Sequence, residues 1–137
     1  MSNRDGIIRT ILEIQPNTQA IYLFGSFGTE NEWPNSDVDI ALLLPHSTAK
    51  TVGSFLMSEL QVDLETLLKK EVDLINLRQV STVFQKEIIA NNRRIFCADQ
   101  YAADEFEMLV LSFYQKLNQE RQGILNEFQK SGRAYSV

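Results

Sequence analysis

The spacing of apolar residues changes several times along the chain, and each change marks an element. Ile7, Ile8, Ile11 and Leu12 recur at three and four, the spacing of one helix face. Residues 4–14 are therefore predicted to form an amphipathic helix, capped by Ser2 or Asn3. Pro16-Asn17 breaks that pattern. Two apolar runs of strand length follow, Ala20 to Phe24 and Asp37 to Leu44. Between them lie Gly25-Ser26, a short helix expected near Gly28, and a loop at Trp33-Pro34-Asn35-Ser36. That loop is expected to turn the chain so that the second strand lies beside the first.

Pro45-His46-Ser47-Thr48 ends the second strand and leaves His46, the only histidine, in a loop. A helix is predicted from about Gly53 to Lys70, burying Leu56, Leu60, Leu64, Leu67 and Leu68 as one stripe. Lys69 and Lys70 suit its C-terminal end, where the helix dipole favours cations. Glu71 to Leu77 alternates as a strand does, with Val72, Leu74 and Asn76 on one face and Asp73 and Ile75 on the other. Val80 to Ala90 reads as a helix closed by Asn91-Asn92, and Arg94 to Cys97 as a short fourth strand.

From Asp99 to about Phe128, Tyr101, Met108, Leu109, Phe113, Leu117, Ile124, Leu125 and Phe128 recur at three and four. One long helix or two is predicted there, packed on the sheet. A helix rises 1.5 Å per residue, so about thirty residues outreach a small sheet. The later half, from about Leu117, is expected to dock on a partner, and residues 131–137 to be disordered. The whole predicts an α+β fold: a small mixed sheet of about four strands flanked by helices, with a long C-terminal helix.

Composition narrows the function classes. At 137 residues the chain is expected to be one domain spanning 1–137, with its core over about residues 5–110. A hydrophobic content of 44% and a charged content of 23% are ordinary for a soluble globular chain. The net charge of −5 argues against direct nucleic-acid binding, which normally shows a basic patch. With one cysteine, Cys97, no intrachain disulfide forms, and that residue is expected to be a small buried hydrophobe. No apolar stretch approaches the ~20 residues of a membrane span, and the N-terminus does not read as a secretory signal. The cytoplasm is the expected location.

The chemistry concentrates in residues 22–43. Asp37 and Asp39, two apart on a strand, point to the same face at the entrance of an apolar run. Two such carboxylates repel unless a positive charge lies between them. Mg²⁺, which favours one or two carboxylates plus phosphate oxygens, is the natural counter-charge. Gly25 allows close backbone approach, and the amides and hydroxyl of Gly25-Ser26 suit phosphate oxygens. Asp73, in an otherwise apolar strand, is either an edge aspartate facing water or a third carboxylate beside the first two. Each feature alone is weak. Gly-Ser and Asp-x-Asp at this spacing, each abutting an apolar run, arise by chance on the order of once in a thousand such chains.

Gly-Ser, ten residues, Asp-x-Asp resembles the signature of the DNA polymerase β-like nucleotidyltransferases. The short length resembles their minimal branch, the antitoxin partners of HEPN-domain toxins. The resemblance covers about residues 5–110, most strongly 20–43. It implies transfer of AMP from ATP to a tyrosine of a HEPN ribonuclease toxin, with release of pyrophosphate. It implies two Mg²⁺ ions held by Asp37, Asp39 and Asp73, the last also able to take the nucleophile's proton, and Gly25 and Ser26 on the β,γ-phosphates. The implied assembly is a hetero-oligomer with the toxin. Trp33 either packs its loop or stacks on the adenine. One departure stands out: many relatives carry arginine three residues after the serine, where this chain has Thr29. The metals and backbone then suffice, Arg78 or another basic residue substitutes, or ATP binds weakly. The other readings are an antitoxin acting by binding alone and a transferase for a small molecule, which would need more chain for its substrate.

Overall fold

The computed structural model describes residues 3–30, 32–33, 36–54 and 58–131, with side chains for 4–123 of these. The cap at Ser2, the loop residues Pro34 and Asn35, Leu56, and the side chains of Ile124, Leu125 and Phe128 lie outside the described residues. So does the tail from residue 132.

The first helix, α1 (Asn3–Ile14), leads into strand β1 (Ala20–Phe24) and, across a long turn, strand β2 (Val38–Leu43). Helices α2 (His46–Val52) and α3 (Glu59–Leu68) then carry the chain to strand β3 (Val72–Asn76). A 3₁₀ turn at Leu77–Gln79 precedes helix α4 (Thr82–Ala90), strand β4 (Arg94–Cys97) and the long helix α5 (Gln100–Ser131). The sheet runs β3-β2-β1-β4. β1 is antiparallel to both neighbours, whereas β2 and β3 are parallel because helices carry the crossover between them.

Alternation along the strands divides the core in two. Ile21 and Leu23 of β1, Ile40 and Leu42 of β2, and Val72 and Leu74 of β3 pack with Ile7, Ile11, Leu60 and Leu64 of α1 and α3. Ala20 and Tyr22, Ala41 and Leu43 face the other way, onto Ile88 of α4 and Ala103, Phe106 and Val110 of α5. Both faces of the sheet are thus covered. Burying each of these large side chains stabilises the fold by about 1.5–3 kcal/mol. Of the described residues, no helix is long and apolar enough to cross a membrane.

Several expectations need correction. No helix forms at Gly28: residues 25–30 are turn and bend, and Gly28 has φ +76°, which a right-handed helix cannot continue. The single helix expected from Gly53 is two. Pro45 caps α2 so that His46 is helical, and Gly53 ends it at φ +64° with its N–H on the Ala49 carbonyl. Ser58 caps α3, its side chain accepting from Gln61 N. Leu60 and Leu64 are buried, but Leu67 is 45% exposed. Cys97 is exposed, because it ends an edge strand. Trp33 is 67% exposed, so packing on its loop does not bury the ring.

The phase of α5 also differs from expectation. Ala103, Phe106 and Val110 face the sheet, whereas Tyr101, Met108, Leu109, Phe113 and Leu117 are exposed. The helix carries more apolar residues than one face holds, so spacing alone does not choose among them.

Candidate active site

β1 delivers the chain to Gly25 and β2 starts one residue after Asp37, so the turn and the aspartates meet at one end of the sheet. Phe24 lies opposite Asp39 across the antiparallel pair. On the other side of β2, Asp39 lies opposite Asp73 in the parallel register. Strand parity puts Asp37, Asp39 and Asp73 on the face covered by α4 and α5. Asp73 is exposed on an edge strand and also neighbours Asp39, so both readings of its position hold together.

Gly25 has φ +74°, and a Cβ there would fall 2.0 Å from Asp39 Oδ2. Only glycine lets the turn lie directly on this carboxylate. Burial, then the charges of Asp73 and Asp37, push the Asp39 carboxyl up to about 6, while Arg93 pulls the other way. The repulsion among the three aspartates is therefore only partly relieved by the protein itself. The donor set is all hard oxygen and suits Mg²⁺. As the side chains stand, no three acidic, histidine or cysteine groups among the described residues form a ready metal cage.

The approach to Asp37 is fixed by its neighbours. Ser36 Oγ accepts from Trp33 N at 2.8 Å, Lys70 Nζ donates to the Trp33 and Ser36 carbonyls at 3.4 Å, and Val38 N donates to Glu71 O at 2.9 Å. On the Gly-Ser side, the Ser26 carbonyl accepts from Thr29 N at 3.0 Å and Thr29 Oγ1 at 2.6 Å. Gly28 N donates to Glu32 Oε1 at 3.0 Å.

Arg78 does not serve this site. It donates to Leu44 O and to Gln19 Oε1 at 2.8 Å, lies 3.2 Å from His46 Nε2, and stacks over Phe106. These contacts hold it at the opposite end of β2. The basic residue on the Gly25 turn among the described residues is Arg93, whose Nη1 donates to Gly25 O at 2.8 Å and whose Nη2 donates to Phe27 O. Burial, then the charge of Arg4, draw the Arg93 pKa down from its ordinary value, and Asp39 acts against them. Sequence reading passed over Arg93, because Asn91-Asn92-Arg93 reads as a helix end. Its neighbour Arg94 is structural: it bridges Asp104 at 3.2 Å and Glu107 at 2.7 Å, and Tyr22 Oη donates to the same Glu107 carboxylate at 2.8 Å.

Comparison with known proteins places this geometry. The family described as polymerase beta, nucleotidyltransferase matches residues 7–101. Protein adenylyltransferase MntA of Shewanella oneidensis is 35% identical over 126 residues, spanning 91% of this chain and 86% of that protein. A chain of a toxin–antitoxin crystal structure with AMP-PNP superposes with a TM-score of 0.69 at 30% identity, covering 93% of this chain and 99% of the other. A structure of the tri-AMPylated Shewanella oneidensis HEPN toxin with its MNT antitoxin gives a TM-score of 0.64 at 30% identity, over 93% and 96% of the two chains. This chain belongs to the polymerase β nucleotidyltransferase family and, within it, to the minimal nucleotidyltransferase antitoxins that pair with HEPN toxins.

Proposed function

We propose that this protein transfers AMP from ATP to a tyrosine of a cognate HEPN toxin and so silences it. The observation that carries this reading is the register Phe24–Asp39–Asp73, which sets the carboxylates against the Gly25-Ser26 turn. Gly25 and Ser26 grip the β,γ-phosphates. Asp37, Asp39 and Asp73 are the residues that would hold two Mg²⁺ ions. When bound, such ions stabilise charge on the attacking and leaving oxygens of an in-line displacement. The tyrosine oxygen attacks the α-phosphorus, the bond to the β-phosphate oxygen breaks, and pyrophosphate departs. Tyrosine has an ordinary pKa near 10, and Asp73, which is exposed, would accept its proton. AMP on the toxin adds bulk and negative charge where a ribonuclease must bind RNA.

The exposed apolar face of α5, including Leu109, Phe113 and Leu117, supports docking of the toxin there, in a hetero-oligomer. The net charge of −5 and the exposed, unpaired Cys97 fit a reducing cytoplasm and no direct contact with nucleic acid.

Incubation with labelled ATP, Mg²⁺ and the toxin tests the reading. Wild type is expected to label the toxin, and Asp39→Ala to reduce labelling by at least about a hundredfold, the scale of losing a main electrostatic group. Silencing of the toxin by both proteins without label would instead identify an antitoxin that acts by binding. Label on a small molecule alone would identify a different acceptor.

A further inference from the structure

The turn that would meet the phosphate tail has no cation of its own. Phe27, Gly28 and Thr29 are neutral, and Glu30 and Glu32 are acidic. The positive charge arrives from a residue distant in sequence. Arg93 is anchored beside β1, its carbonyl accepting from Leu23 N at 2.9 Å. Its guanidinium spans two carbonyls of the turn, Gly25 O at 2.8 Å and Phe27 O. The guanidinium is a planar, rigid fork that does not lose its charge, so one side chain fixes two peptide planes at once.

In a trans peptide the N–H points opposite to the C=O. Holding the Gly25 carbonyl therefore turns the Ser26 N–H away from Arg93. The carbonyl between the two, that of Ser26, is held by Thr29 N and Oγ1. All three carbonyls of the turn thus have donors, and their negative ends are kept from an arriving phosphate. Arg4, in the first turn of α1, lies close enough for its charge to act on Arg93.

We propose that Arg93 is the positioning residue of the triphosphate side: it sets the Gly25–Phe27 turn so that the Ser26 amide meets the phosphate tail, and it lends that turn its positive charge. This inference rests on the site being a nucleotidyltransferase site.

Two measurements test it on the full chain: AMP transfer to the toxin across ATP concentrations, and calorimetric binding of a non-hydrolysable ATP analogue with Mg²⁺. Arg93→Ala is expected to raise the KM for ATP and the analogue's Kd about tenfold or more, the scale of lost charge-assisted hydrogen bonds, with a smaller change in kcat. Arg93→Lys keeps the charge without the fork and is expected to fall between. Binding of adenosine, which carries no phosphate, is expected to stay near wild type in both variants, whereas a general loss of the fold would weaken it as well.

Wild-type KM and Kd in Arg93→Ala, or an equal loss of adenosine binding, would overturn the inference. If Arg93→Ala does not fold, Arg93→Lys decides: weakened ATP binding supports the inference, unchanged binding refutes it. A wild type that binds the analogue but labels no toxin removes the proposed transfer, and the analogue's Kd in the variants still decides the role of Arg93.

Discussion

At the scale of single residues, the site is under electrostatic strain that protonation relieves. Asp39 has an ordinary pKa of 3.8 and is raised to about 6 by burial and by Asp73 and Asp37. Between those values the folded protein holds a proton that the unfolded chain has released, so stability falls as pH rises through this window. Above it, ionised Asp39 opposes folding. Asp39→Asn is therefore expected to raise the Tm at pH 7.5 in Mg²⁺-free buffer, by roughly 2–4 °C for a half-exposed group. The gain should vanish near pH 4, where the wild-type carboxyl is mostly protonated. Added Mg²⁺ should raise the Tm of wild type more than that of the variant. A variant less stable than wild type at pH 7.5 would mean that the aspartates do not repel one another here. Gly25 is the second point of strain. Gly25→Ala puts a methyl 2.0 Å from Asp39 Oδ2 at φ +74°, so the turn must move off the carboxylate. A loss of about 1–3 kcal/mol in chemical unfolding is expected, with AMP transfer reduced further than stability. Full transfer by this variant would show that the contact between turn and carboxylate is dispensable.

At the scale of elements, strands were more legible than helices. The apolar run Ala20 to Phe24 and the short strand Arg94 to Cys97 match β1 and β4 to the residue, and period-two alternation puts Asp73 on the side opposite Val72 and Leu74. Parity within one strand pairs Asp37 with Asp39, but the side on which Asp73 stands relative to them follows only from the β2–β3 register. Helix boundaries failed where the deciding signal was a single residue. Pro45 ends a strand and also opens α2, and Gly53, the expected start of a helix, is a stop. The Ser58–Gln61 pair does carry a cap signature, and the structure uses it. The phase of α5 was ambiguous because Ala103, the small residue that lets the helix approach the sheet, ranks low as an apolar signal. Arg93 could not be found from local pattern at all. Its contacts with Gly25 and Phe27 join residues 68 and 66 positions apart, and local spacing carries no information about such pairs.

At the scale of the whole molecule, the two faces of the sheet divide the labour, and what remains outside them is α5. The helix packs Ala103, Phe106 and Val110 on the sheet and continues to Ser131. Leu109, Phe113 and Leu117 follow one another at four-residue spacing, 45%, 56% and 40% exposed. Three such residues form one stripe along a helix, and an apolar stripe left in water marks an interaction surface more often than a fold element. The catalytic end and this stripe draw on different residues, so they should separate by mutation. Phe113→Ser with Leu117→Ser is expected to leave the Tm and the binding of the ATP analogue near wild type, because neither side chain is buried. Affinity for the toxin, measured by calorimetry, should fall at least about tenfold, within the range of losing interface anchors. Labelling of the toxin should fall at low toxin concentration and recover as the toxin is raised, since the chemistry is intact. Unchanged toxin affinity would place the docking surface elsewhere. Saturating toxin without recovered labelling would mean that the helix also orients the acceptor tyrosine toward Asp73.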